Sequence, residues 1–126
     1  MIWIILAVAT LLRILSLNQS LWLDEAISAI AARDYSFINI IKEFLPNDTH
    51  PPLYYLLLKL WTSLFGFSEI SMRTLSVVLG VLTVWVVYLI GKKVKDERLG
   101  ILASAFLATA PLHIYYSQEV RMYSLS

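Results

Sequence analysis

Two apolar runs separated by a short basic turn constrain this chain more than any other feature. Residues 70–90 and 99–116 are apolar through their centres, and Lys92-Lys93-Val94-Lys95-Asp96-Glu97-Arg98 lies between them. A helix rises about 1.5 Å per residue, so about 20 residues cross the hydrocarbon of a bilayer. Each run is a predicted crossing. The composition agrees: 59% of the 126 residues are hydrophobic and only 15% are charged, whereas about a quarter of a soluble domain is charged. That balance excludes a nucleic-acid-binding domain, a charged tail and a disordered segment. The chain has no cysteine, which removes a disulfide framework, a thiol nucleophile and a Cys-ligated zinc site.

The turn at 91–98 carries the densest positive charge in the chain, and basic short loops of membrane proteins stay in the cytoplasm. The rest of the topology follows from it. Residues 1–17 are apolar apart from Thr10, Arg13 and Ser16. They are read as a retained span, because no basic stretch precedes the run and no small-residue cleavage site follows it. Residues 18–69 then form an outer loop. Within it, 52–65 would make only about 20 Å of helix, too short to cross comfortably. A crossing there would also turn the basic loop outward. Residues 24–34, 36–45 and 52–65 are therefore expected as short helices in the outer interface. In the second of these, Phe37, Ile40, Ile41, Phe44 and Leu45 share one face at helical spacing, with Ser36 as N-cap. The expected fold class is all-α, with spans at about 1–17, 70–90 and 99–116 in the plasma membrane.

This topology gathers four polar clusters on the outer face. Asp24-Glu25 follows the apolar Leu21-Trp22-Leu23. A carboxylate pair at a membrane interface is costly unless it is hydrated, paired or used, and acids also suit the first turn of a helix. Neighbouring helical residues point about 100° apart. One of the two is therefore suited to chemistry while the other orients it or pairs with a base. Asn47-Asp48-Thr49-His50-Pro51-Pro52 sets an imidazole beside an acid at a rigid helix entry; such residues also make ordinary turns. Arg73 lies in the first turn of a span, where it can snorkel, bind phosphate or hold a carboxylate. Glu119 and Arg121 lie two residues apart beyond Tyr115-Tyr116, where a tyrosine belt with a surface ion pair would look the same. Asp, Glu, His and Arg together at this face suit a phosphate-bearing, lipid-anchored substrate.

The order of these strings resembles a known family. Leu21-Trp22-Leu23-Asp24-Glu25-Ala26, Asp48-x-His50-Pro51-Pro52-Leu53-Tyr54-Tyr55, Leu64-Phe65-Gly66, Arg73-x-x-Ser76-x-x-x-Gly80 and Tyr116-Ser117-Gln118-Glu119-x-Arg121-x-Tyr123 follow one another. Together they resemble the amino-terminal part of C-superfamily polytopic glycosyltransferases. The likeness is to the bacterial group related to protein O-mannosyltransferases and the lipid A aminoarabinose transferase, and it covers the chain from about residue 13 to 126.

The resemblance implies transfer of a sugar, mannose-like or another hexose or pentose, from a polyprenyl-phosphate donor. The acceptor would be a lipid, glycan or protein at the extracytoplasmic face, and the anomeric centre would invert. It implies Asp24 as general base or acceptor-orienting group, supported by Glu25. It implies His50, Arg73, Glu119 and Arg121 around substrate and carrier phosphate. It leaves room for a divalent cation at His50 with Asp48, although one His and scattered carboxylates are no recognisable ligand set. The chain lacks a Gly-rich nucleotide loop, which agrees with a lipid-linked donor. Relatives are several times longer, so the chain is expected to be a fragment, inactive alone. The competing expectation is a small non-enzymatic membrane protein or a transporter fragment. A transporter would place its ionisable groups near the bilayer midplane, whereas here they collect at one face.

Overall fold

The computed structural model describes residues 1–15, 17, 21–44 and 52–121. Helices account for nearly all of them, and no strand occurs among the described residues. Helix α1 is Ile2–Ile14, α2 is Leu23–Asp34 and α3 is the single turn Phe37–Asn39, which runs into a π-helical turn over Ile40–Phe44. After it come α4 (Pro52–Phe65), α5 (Glu69–Val94), α6 (Glu97–Thr109) and α7 (Pro111–Ser117). The all-α expectation holds.

Helix α5 organises the rest. Ser68 Oγ caps it by accepting from Ser71 N at 3.1 Å, and its 26 residues span about 39 Å. It alone among the described helices is long and apolar enough to cross a membrane unaided. The sequence reading ended this run before Gly91-Lys92-Lys93, yet the helix continues to Val94. Lysines in the last turn complement the negative end of the helix dipole, so the basic residues extend the helix rather than stop it. Asp96 Oδ1 then accepts from Leu99 N at 2.8 Å and starts α6 after a two-residue turn.

The hairpin closes tightly because its two strands of helix meet at glycines. A Cβ on Gly100 would lie 2.6 Å from the Tyr88 carbonyl oxygen and 3.0 Å from Lys92 N. Both neighbours are backbone atoms that cannot swing aside. Gly100→Ala is therefore expected to push α6 off α5 at a cost of about 1–3 kcal/mol. A thermal midpoint in detergent several degrees lower would register it. An unchanged midpoint would mean that the helices are not this close.

The segment at 99–116, expected as one crossing, is built from two helices. Helices α6 and α7 meet at 65° around Ala110 and Pro111. Pro111 has no N–H, and its ring disfavours a helical residue before it; Ala110 accordingly sits at φ −65°, ψ 117°. Together the two helices have the length and composition of one broken span. The predicted span at 1–17 is likewise a 13-residue helix, about 20 Å long.

Three apolar contacts set the layers. Ala9 of α1, Val84 of α5 and Ala108 of α6 pack together, with small residues letting three backbones approach. Ala32, Tyr54, Leu58, Met72, Leu75 and Val120 join α2, α4 and α5. Ala31, Ile40 and Tyr55 seat the π turn on α2 and α4. Polar cross-links reinforce the second layer. The Trp61 indole donates to the Ser71 carbonyl (2.9 Å), Lys59 to the Ala32 carbonyl (3.0 Å), and the Tyr54 hydroxyl meets Ser76 Oγ (2.9 Å).

The short helices at 24–34 and 52–65 form within a residue of their expected bounds. The 36–45 segment does not form one α-helix, since its second half is the π turn, and Leu45 lies outside the described residues. Ile40 is buried while Phe37, Ile38 and Ile41 stay about half exposed. Trp3 and Phe106 are more exposed still. A soluble monomer rarely leaves apolar surface this extensive open to water.

Candidate functional site

The site is a cleft of about 200 Å³ lined by Trp22, Asp24, Glu25, Tyr115, Glu119 and Arg121. Its floor is built by Glu25. As the third residue of α2, Glu25 reaches back so that Oε2 accepts from Trp22 N at 2.9 Å, the half of a capping box that satisfies an orphan donor. The same oxygen pairs with Arg73 Nη2 at 2.8 Å, and Oε1 accepts from Val120 N at 2.9 Å. The side chains of Glu25 and Arg73 are 2% and 3% exposed. One carboxylate thus binds the start of α2, the first turns of α5 and the segment after α7.

Burying two charges costs several kcal/mol per ion, offset only when the pair is close and its remaining valences are filled. Glu25 meets both conditions. Arg73 takes the last of the three roles its chemistry allows: it holds a carboxylate and does not line the cleft.

Asp24 has the opposite environment. It is next in sequence yet points away from Glu25, and its side chain is 68% exposed. Arg121 Nη2 approaches Asp24 Oδ2 at 3.2 Å from a side chain only 9% exposed. A half-exposed pair of this kind contributes about 1 kcal/mol or less to stability. Its consequence is local: it places a guanidinium and a solvent-facing carboxylate on the same cleft wall. Glu119, also on the wall, engages the Tyr115 hydroxyl.

The contrast with Arg33–Asp34 is instructive. That pair, at 2.8 Å, lies in the open at the far end of α2. The guanidinium holds the Asp34 carboxyl below its ordinary value, but both side chains are about half exposed or more and water screens the pair.

Of the residues expected to form a site, Asp24, Glu25, Glu119 and Arg121 come together, and Arg73 joins them through Glu25. His50 and Asp48 lie outside the described residues. Among the described residues no three His, Asp or Glu side chains converge to hold a metal ion. Glu25 has both oxygens engaged, Asp24 faces a cation and Glu119 takes a phenol. This described donor set does not fit a cation.

Sequence reading missed two contributors. Val120 was unremarkable as a side chain, and its part is played by its backbone N–H. Arg13 was read as an interruption of an apolar run, yet it is fully buried. The signal for it was present, since an ionisable residue inside a membrane helix is functional by default.

Comparison with known proteins matches residues 49–123 to the model of the dolichyl-phosphate-mannose-protein mannosyltransferase family. No curated protein and no solved structure matches the chain. The matched region runs from the entry of α4 through Arg73, Glu119 and Arg121. It stops short of Asp24 and Glu25, which are joined to it by the Arg73 ion pair and the Val120 hydrogen bond. With well over half of its length inside the match, the chain belongs to the dolichyl-phosphate-mannose-protein mannosyltransferase family of membrane glycosyltransferases.

Proposed function

We propose that this protein contributes the catalytic cleft of a transferase that moves a sugar from a polyprenyl-phosphate donor to an acceptor hydroxyl or phosphate. The reaction takes place at the extracytoplasmic face of the plasma membrane, in a multi-pass protein. The observation that carries the reading is the opposed environment of two adjacent carboxylates. Glu25 is buried and fully paired, whereas Asp24 faces solvent with Arg121 beside it.

In this reading Asp24 takes the acceptor proton as the acceptor oxygen attacks the anomeric carbon. The bond from that carbon to the carrier phosphate breaks, the phosphate leaves with the electron pair, and the configuration inverts. Arg121 is the cation placed to meet the charge that develops on the phosphate. His50 keeps the contact to carrier phosphate that the resemblance gives it. Glu25 and Arg73 position the wall, and Glu119 lines it.

Helix α5 supports the topology. Arg73 and Lys92 are 19 residues apart on it, about 28 Å, close to the thickness of a bilayer's hydrocarbon. Cleft and basic turn would then lie on opposite faces, the turn in the cytoplasm. The acceptor, whether lipid, glycan or protein, and the identity of the sugar depend on surfaces beyond this cleft.

The test is a donor comparison. Membranes containing the full-length protein that carries this sequence are incubated with a radiolabelled polyprenyl-phosphate sugar or with the same sugar on a nucleotide. Label is expected to reach an acceptor only from the lipid-linked donor. Transfer from the nucleotide sugar alone, or from neither, overturns the reading.

A further inference from the structure

We infer that Arg13 and Gln118 are positioning residues of the cleft: Arg13 caps α6, Gln118 caps α1, and together they fix the segment that carries Glu119 and Arg121. At the break before Pro111, Ala110 N still reaches the Leu107 carbonyl at 3.3 Å. The proline has no N–H to give, however, and the end of α6 is poor in helical donors; in an apolar surround carbonyls need partners. Arg13, at the end of α1, supplies them. Its Nη1 donates to the Ala108 carbonyl at 3.1 Å and to Ala9 in its own helix at 2.9 Å; its Nη2 reaches the Leu107 carbonyl at 3.5 Å. Helix α1 is capped in turn. Gln118 Nε2, just past α7, donates to the carbonyls of Leu12 and Arg13 at 3.2 Å each, filling the open end of α1.

Two further contacts make the joint specific. Arg13 Nη2 lies 2.7 Å from His113 Nδ1. A guanidinium can only donate, so Nδ1 must accept and the imidazole is neutral with its proton on Nε2. Arg13 Nε also meets Ser117 Oγ at 3.4 Å. Space for this comes from Gly80 of α5, where a Cβ would lie 2.8 Å from Ser117 Cβ and 3.4 Å from Arg13 Nε.

The next three residues after Gln118 are the cleft wall: Glu119, Val120 with its N–H on Glu25, and Arg121 on Asp24. The joint therefore sets the angle of α7 and the place from which the wall departs. Arg13 touches none of the reacting groups and acts through this geometry.

The test uses the absence of cysteine from the chain. Val120 is fully buried, so V120C placed in membranes should react slowly with a membrane-impermeant maleimide. Adding Arg13→Met or Gln118→Glu should raise that rate about tenfold or more, the scale of lost charge-assisted and buried hydrogen bonds. Arg13→Lys should resemble Arg13→Met, because one ammonium cannot span two carbonyls and an imidazole. His113→Gln, which keeps an acceptor, should leave the rate within about twofold of V120C alone, whereas His113→Leu should not. Val84→Ala loosens the same helix contact without touching the joint and should also leave it. Equal acceleration by Val84→Ala and Arg13→Met, or none by either, overturns the inference.

A second arm rests on the proposed transferase reading. Arg13→Met should lower kcat/KM for transfer about tenfold or more at equal protein level, with His113→Gln close to wild type. Absence of transfer in the wild type would defeat that reading alone, and the labelling would still decide the role of Arg13.

Discussion

Arg73→Met is expected to destabilise the protein by about 3–5 kcal/mol, the cost of stripping one partner from a buried ion pair. Methionine matches the length of the arginine stem but leaves Glu25 charged and only 2% exposed among α2, α5 and the segment after α7. The two backbone donors from Trp22 and Val120 remain, yet neither cancels a full charge. A thermal midpoint in detergent should fall by roughly 10 °C or more. The double variant Glu25→Gln with Arg73→Met separates the causes. It removes both charges and keeps an acceptor for one N–H, so it should be more stable than Arg73→Met alone while remaining below wild type. A double variant as unstable as the single one would mean that packing around Arg73, not the unpaired carboxylate, sets the loss. A shift of a degree or two for Arg73→Met would mean that the pair is not buried.

That pair also marks where sequence reading stops. The helices at 24–34 and 52–65 and the hairpin around 91–98 were legible because each has a local cause: acids in a first turn, prolines at an entry, a basic polar gap between apolar runs. The separation of Asp24 from Glu25 was legible as well, because adjacent helical side chains must diverge. What diverges toward what was not. Glu25 and Arg73 are 48 residues apart, and no periodicity connects them. Arg73 could be expected to reach for a phosphate or a carboxylate, and only the packing of α2 and α5 on the shared helix α4 brings the second within 2.8 Å.

The break at Ala110 and Pro111 failed for a different reason. Pro111 was visible, but the apolar run continues past it, and hydropathy does not register a missing N–H. The same blind spot hid Arg13. An apolar window averages over a single guanidinium, although the carbonyls at the end of α6 are what that guanidinium needs. The π turn at Ile40–Phe44 carried no signal that helical spacing could expose, since its residues suit an ordinary amphipathic helix equally well. Features with a short-range cause were thus readable, and features that answer a distant unsatisfied group were not.

The second large effect belongs to Asp24. Asp24→Asn preserves size and a hydrogen bond toward Arg121 but cannot take a proton, and general-base catalysis contributes about 10²–10⁴-fold. Transfer from the lipid-linked donor should therefore fall about 100-fold or more in kcat. The protein should fold normally, because the Asp24 side chain is 68% exposed and its ion pair adds little stability. This separates the two carboxylates experimentally: substitution at Glu25 or Arg73 lowers the thermal midpoint, and substitution at Asp24 leaves it in place. Arg121→Ala should act differently again, weakening the contact to the leaving phosphate while the base remains. If Asp24→Asn transfers sugar at the wild-type rate, Asp24 is not the base, and Glu119 becomes the next carboxylate to test on the same wall. If the midpoint falls along with the activity, Asp24 has a structural part that its exposure does not predict, and the loss of transfer says nothing about proton removal. Only loss of kcat with an unchanged midpoint assigns the proton to Asp24.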